Sequence, residues 1–183
     1  PAIGGRVYSI ITYQNWYHME EFGIPVAIPR LFNAVGPRQT GAYGFVLPRF
    51  VAQALAGEPL TVFGDGTQTR SFCDARDTVV ALDLLAGNSA DWGQPVNVGN
   101  TREICILDLA KMLIDRAGSK STIEFIPFDK AYGERFEHIT QRRPVEDKLE
   151  GLTGFHPAWT LEMTVDNLIE RNRAIGLQDK RLS

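Results

Sequence analysis

Apolar and aromatic positions recur at helical spacing through residues 8–22, "YSIITYQNWYHMEEF", and Gly23 supplies a stop. The next run, "IPVAIPRLF" at 24–32, is apolar and of strand length, and its Pro29 suits an edge or bulged strand better than a central one. Periodicity then lapses in "NAVGPRQTGAYG", 33–44, a turn-rich loop of the type that carries function on a rigid scaffold. "FVLPRFVAQALAG", 45–57, predicts a helix with Pro48 in its first turn and Gly57 after its end. "PLTVF" and "TQTRSF" read as short strands around Gly64-Asp65-Gly66, a turn signal that predicts a hairpin. Further on come a helix at 76–87, a short strand in "QPVNVGN", a helix at 106–118, an alternating strand in "TIEFIPF" and a final helix near 161–175. This alternation predicts an α/β fold with helices packed over a partial parallel sheet.

Composition narrows the function classes. A chain of 183 residues suffices for one core, or for one domain with an appendage, and 44% apolar with 22% charged residues is globular usage. The net charge of −3 gives no basic footprint, so no nucleic-acid partner is expected. No apolar run reaches membrane-spanning length and no charged-then-apolar leader opens the chain, which argues for no membrane partner and a cytoplasmic location. Cys73 and Cys105 have neither CxxC nor disulfide-framework spacing, so reduced thiols are expected. There is no GxGxxG, no GxxxxGK[ST], no HExxH and no GxSxG, and His18, His138 and His156 are scattered. The first lysine is Lys111, which removes lysine-dependent chemistry from the first 110 residues.

The stretch "FGDGTQTRSF", 63–72, places Arg70 four residues past a glycine-bracketed turn. Arg70 is either a surface residue on a hairpin or a guanidinium aimed at a phosphate, where its fork gives bidentate, charge-assisted bonds. Neighbouring segments bear on the choice. "RLFNAVGPRQ" at 30–39, "VLPRFVAQALAGEPLTVFGDGTQTRSF" at 46–72, "NVGN" at 97–100 and "RRP" at 142–144 occur in an order that resembles the C-terminal half of the NAD-dependent epimerase/dehydratase family. These are extended short-chain dehydrogenases acting on nucleotide sugars: epimerases, dehydratases and UDP-glucuronate decarboxylases.

The resemblance implies a nucleotide-sugar partner, most simply a UDP-sugar, and NAD as the cofactor of the parent family. It implies that the Asn33 amide bonds the diphosphate or sugar, although Asn33 in isolation reads as a turn residue at a strand end. Leu47 and Pro48 would begin the helix that closes over the nucleotide. The strand 61–63, with Val62 and Phe63, would offer backbone groups to the base edge and a ring to its face, against core packing as the alternative for Phe63. Arg70 and Arg142 would pair with the diphosphate, against a solvated basic run as the alternative for Arg142.

The chain also departs from the family. A Tyr-x-x-x-Lys helix should supply the acid/base tyrosine; Tyr8 is the nearest candidate, yet position 12 is Thr12. Val145 stands where the family places aspartate after the proline. Cys105, where a small hydroxyl residue is common, reads as a buried apolar thiol. Residues 1–23 are therefore expected to be a remnant of the catalytic helix, 24–178 a nucleotide-sugar-binding region and 179–183 a tail. Three accounts compete: a piece of a longer enzyme lacking its dinucleotide half, a complete binding module, or a folded remnant that oligomerises. None is expected to bind NAD or turn over substrate alone. Exposed apolar residues at 8–32 are expected to drive homo-oligomerisation, with Ile10, Ile11, Tyr13, Trp16 and Tyr17 at the contact.

Overall fold

The computed structural model describes residues 17, 20–23, 26–39, 45–132 and 141–182, excluding the side chains of 91, 131, 132, 142 and 176–182. Three parallel strand pairs carry the fold. β1 (Ile28–Leu31) and β6 (Pro95–Val98) align Ile28 with Pro95 and Leu31 with Val98. β2 (Ala34–Val35) pairs with β5 (Cys73–Asp74), and β3 (Leu60–Phe63) with β8 (Ile123–Ile126). A separate three-stranded sheet has β4 (Thr69–Ser71) at its centre, antiparallel to β7 (Glu103–Cys105) and parallel to β9 (Gln141–Arg142).

The four longer helices form where the apolar spacing placed them. α1 (Val46–Ala56) buries Leu47, Phe50, Val51 and Ala54, the i, i+3, i+4, i+7 stripe of an amphipathic helix. α2 spans Ala75–Ala86 and α3 Ile106–Ala117, the latter burying Ile106, Leu109, Ala110 and Leu113. Two short helices, α4 (Phe128–Tyr132) and α5 (Asp147–Thr153), precede α6 (Leu161–Leu182), which continues past the expected end near 175. The Thr160 hydroxyl accepts from the Met163 N–H and so caps the start of α6.

Two cores result. The larger gathers α1, α3, α6 and β3 around Phe50, Leu60, Val62, Leu109, Leu113 and Val165. Truncating a fully buried leucine such as Leu109 costs about 2–5 kcal/mol, transfer plus cavity. The smaller core packs Val96 and Val98 of β6 between Ala81 and Leu85 of α2 and Leu149 of α5.

The expected hairpin at Gly64–Gly66 is not formed. β3 and β4 belong to different sheets, and the turn carries the chain from one to the other. Its tightness comes from packing. Gly64 has φ +70°, its N–H donates to the Ile126 carbonyl (2.8 Å), and a Cβ there would lie 2.0 Å from the Phe128 ring. Of the expected helix 8–22, residues 8–16, 18 and 19 lie outside the described residues, and with them Tyr8, Ile10, Ile11, Tyr13 and Trp16.

Gly57 also has positive φ (+73°) but open space around it, which separates backbone strain from steric conflict. Gly57→Ala should cost about 1–2 kcal/mol of stability in urea titration. Gly64→Ala should cost a further ~1–3 kcal/mol, and Phe128→Ala in that background should return the further part.

Candidate functional site

The sheet β7–β4–β9 brings the two expected phosphate arginines together. Arg70 on β4 is the register partner of Arg142 on β9, so neighbouring parallel strands hold both positions on one face. The Arg70 Nη1 donates to the Thr69 carbonyl (2.6 Å). On the other face, the Glu103 carboxylate of β7 accepts from the Thr69 hydroxyl (2.7 Å) and from Gln141 Nε2 (2.9 and 3.0 Å), with Arg143 Nη1 at 3.8 Å. These bonds, Thr69 first and then Gln141, hold its pKa below the ordinary carboxylate value.

Asn33 reaches the same sheet from the loop after β1. It adopts left-handed backbone at φ +42°, a region asparagine tolerates, and its Nδ2 donates to the Ser71 carbonyl (2.8 Å). Its own carbonyl accepts from the Cys73 N–H (3.2 Å), so Asn33 spans the junction of β4 and β5. One residue further begins an open cleft of about 500 Å³, walled by Ala34–Gln39, Ala75 and Arg171.

The strand expected to read a base edge is closed along its outer side. The Thr61 N–H donates to Gln53 Oε1 (3.2 Å), its carbonyl accepts from Arg49 Nη2 (3.0 Å), and the Phe63 carbonyl accepts from Gln68 Nε2 (2.9 Å). The Arg49 guanidinium lies 4.1 Å from the Phe63 ring centroid. A base approaching this edge would exchange with those side chains. Leu47 and Val62, 1% and 0% exposed, fill the core, so neither side chain reaches a ligand; Pro48 is half-buried in the first turn of α1. Only the backbone of Arg142 is described, and Tyr8 lies outside the described residues.

Glu103, Arg49, Gln53 and Gln68 were missed by sequence reading. Each acts across elements distant in sequence or through backbone, and no local motif marks them.

The two cysteines are held differently. Burial pushes the Cys73 thiol up to about 11. Cys105 is half-exposed rather than buried: its Sγ caps α3, accepting from the Asp108 N–H (3.4 Å) and donating to Asp108 Oδ2 (3.1 Å). Among the described residues no group of three or more His, Cys, Asp or Glu could hold a metal ion, and no helix is long and apolar enough to cross a membrane.

A dinucleotide needs a glycine-rich strand-to-helix turn whose open N–H groups receive its pyrophosphate. Among the described residues the turns into α2 and α3 are closed instead by the Asp74 carboxylate, bonded to the Arg76 N–H (2.9 Å), and by Cys105. The Asp74 carboxylate repels a phosphate at the turn into α2.

Known proteins resemble this chain in sequence and in fold. Residues 9–99, about half of the chain, match the model of the NAD dependent epimerase/dehydratase family. UDP-N-acetyl-alpha-D-glucosaminuronate decarboxylase of Bacillus cytotoxicus is 38% identical over 84% of this chain and 48% of its own length. UDP-glucuronic acid decarboxylase 1 of Danio rerio is 35% identical over 91% of this chain and 37% of its own. The chain thus spans less than half the length of these curated relatives. Among solved structures, an epimerase of Methanothermobacter thermautotrophicus superposes with TM-score 0.81 at 21% identity, covering 92% of this chain and 49% of that one. UDP-glucuronic acid 4-epimerase of Bacillus cereus, in complex with UDP-glucuronic acid and NAD, gives 0.75 at 26% identity, covering 87% and 48%.

Behind the arginine pair, residues 144–146 are gripped by the end of β6. Asn97 Nδ2 donates to the Val145 carbonyl (3.0 Å), and a Cβ on Gly99 would meet Pro144 Cγ at 2.8 Å and Glu146 Oε1 at 3.4 Å. Burial pushes the half-buried Glu146 carboxyl above its ordinary 4.5, against the opposing bond from Gly99. A carboxyl raised on folding stabilises below its ordinary value and loses that contribution as pH rises through the folded value. Glu146→Gln should therefore raise the melting temperature at about pH 7, with the gain vanishing near pH 4, as checked by thermal scans across that range.

Proposed function

Since the chain belongs to the NAD-dependent epimerase/dehydratase family, we propose that it supplies the nucleotide-sugar-binding half of an enzyme converting a UDP-linked sugar. The observation that carries the reading is the register of Arg70 beside Arg142, with Asn33 bonded to the same strand at Ser71, the next residue. Two guanidinium groups on adjacent strands match the two phosphates of a nucleoside diphosphate, and a planar fork gives each a defined direction. Decarboxylation of a UDP-linked sugar acid is the favoured reaction, because the curated relatives at 35% and 38% identity are named for it. Epimerisation is the alternative, carried by the solved neighbours named as epimerases.

In this proposal residues 24–178 hold the nucleotide sugar and residues 1–23 correspond to the catalytic helix. The 183-residue polypeptide binds nucleotide without turnover, because its sequence has neither a dinucleotide fingerprint nor a Tyr-x-x-x-Lys pair. Its binding free energy serves to hold the sugar in place for chemistry carried by other groups. Self-association accompanies binding: Tyr17, Phe22 and Leu31 are 43%, 61% and 42% exposed on the stretch expected to make the contact.

Calorimetric titration should show UDP and UDP-glucuronate binding and NAD not binding. Arg70→Ala should weaken UDP by roughly 10–100-fold, the loss of one or two charge-assisted bonds, with the thermal transition unchanged. Retained affinity in that variant would return Arg70 to a surface role. Light scattering should give a mass above one chain that falls on dilution; a clean monomer at all concentrations would remove the self-association.

A further inference from the structure

A two-residue strand such as β9 has little register information of its own, because its two ladder positions could slip by one at small cost. A slip of one residue would turn position 142 to the opposite face and put a neighbour beside Arg70. Something outside β9 must therefore hold the register, and Glu103 is placed to do so. Its carboxylate accepts from Gln141, immediately before Arg142, and lies 3.8 Å from Arg143, immediately after it. The same carboxylate accepts from Thr69, the residue before Arg70. The flanking residues of both arginines thus converge on one acceptor at one face of the sheet, which leaves positions 70 and 142 together on the other.

We propose that Glu103 is a positioning residue for the nucleotide site: by binding the neighbours of Arg70 and Arg142 it fixes the register that makes the two arginines a diphosphate-binding pair. The inference rests on the reading of those arginines given above. Glu103 touches no ligand in this account. Its effect passes through β9, so it belongs to the phosphate-dependent part of binding alone.

The test uses the 183-residue polypeptide with UDP, followed by calorimetry, and uridine, followed by chemical-shift titration. Glu103→Ala should weaken UDP about tenfold and leave uridine within about twofold, since the nucleoside does not use the arginine pair. Glu103→Gln keeps an acceptor for Thr69 and Gln141 and should restore most of the affinity. In an Arg142→Ala background, Glu103→Ala should have no further effect, because the residue it positions is gone. Equal losses for UDP and uridine, a fully additive double variant, or wild-type UDP affinity in Glu103→Ala would each overturn the proposal. Failure of the underlying reading looks different: UDP would not bind the unsubstituted polypeptide, or Arg142→Ala would leave its affinity intact, and the inference would fall with it. Should Glu103→Ala not fold, Thr69→Val, measured against the same two ligands with Glu103→Gln as the control that keeps its affinity, decides the question by the same split.

Discussion

The Asp74 carboxylate is where the two cores are joined. It ends β5, caps α2 through the Arg76 N–H, takes both Arg76 Nε and Nη2 at 2.7 Å, and accepts from the Thr164 hydroxyl of α6 at 2.8 Å. Its neighbour one helical turn on, Asp77, receives the backbone N–H groups of Ala158 and Trp159, and the Arg76 guanidinium lies 3.3 Å from the Trp159 ring centroid. Burial alone would raise the Asp74 pKa, yet the bonds from Arg76 and Thr164 outweigh it and the carboxyl stays ionised below its ordinary value. A buried carboxylate with its partners in place is a strong geometric constraint, and removing one partner would leave an uncompensated charge. Because Asp74 is also the register partner of Val35, this junction fixes the loop that carries Asn33.

From that junction the site is assembled by strands rather than by a single motif. β2 and β5 set Asn33 against the end of β4, β4 carries Arg70, and β9 brings Arg142 alongside. Residues from the end of β6 then hold the chain leaving β9. The small core beneath β6 makes that end rigid, with Val96 and Val98 both almost wholly buried. Packing far from the arginines is thereby coupled to the spacing of the strands that carry them.

The helices were legible because their apolar residues repeat locally: the stripes of α1 and α3 can be counted along the chain, and the glycines after them mark their ends. Strand partners were not. The Asp-Gly turn after β3 reads as a hairpin, yet Leu60 pairs with Ile123, and no turn signal reports a partner so distant. β7 and α5 passed unnoticed because a three-residue strand and a seven-residue helix carry too few positions to show a period. The arginines and Asn33 were singled out through family resemblance, and the register of β4 with β9 sets positions 70 and 142 side by side, whereas Glu103 stands out only once β4, β7 and β9 lie together. Phe63 illustrates the converse: the family resemblance implied a ring over the base, with core packing as the alternative, and the Arg49 guanidinium lies over that ring.

The side chains along the outer edge of β3 have a consequence for the life of the protein at high concentration. An uncovered strand edge is a template on which another chain can add a strand, and repeated addition leads to fibrils. With Gln53 and Arg49 on Thr61 and Gln68 on Phe63, an incoming strand would first have to displace three hydrogen bonds and an arginine stacked on an aromatic ring. The helix that covers the core thus also guards the sheet against runaway polymerisation, with Arg49 and Gln53 on Thr61 and Gln68 completing the cover from the loop beyond the turn.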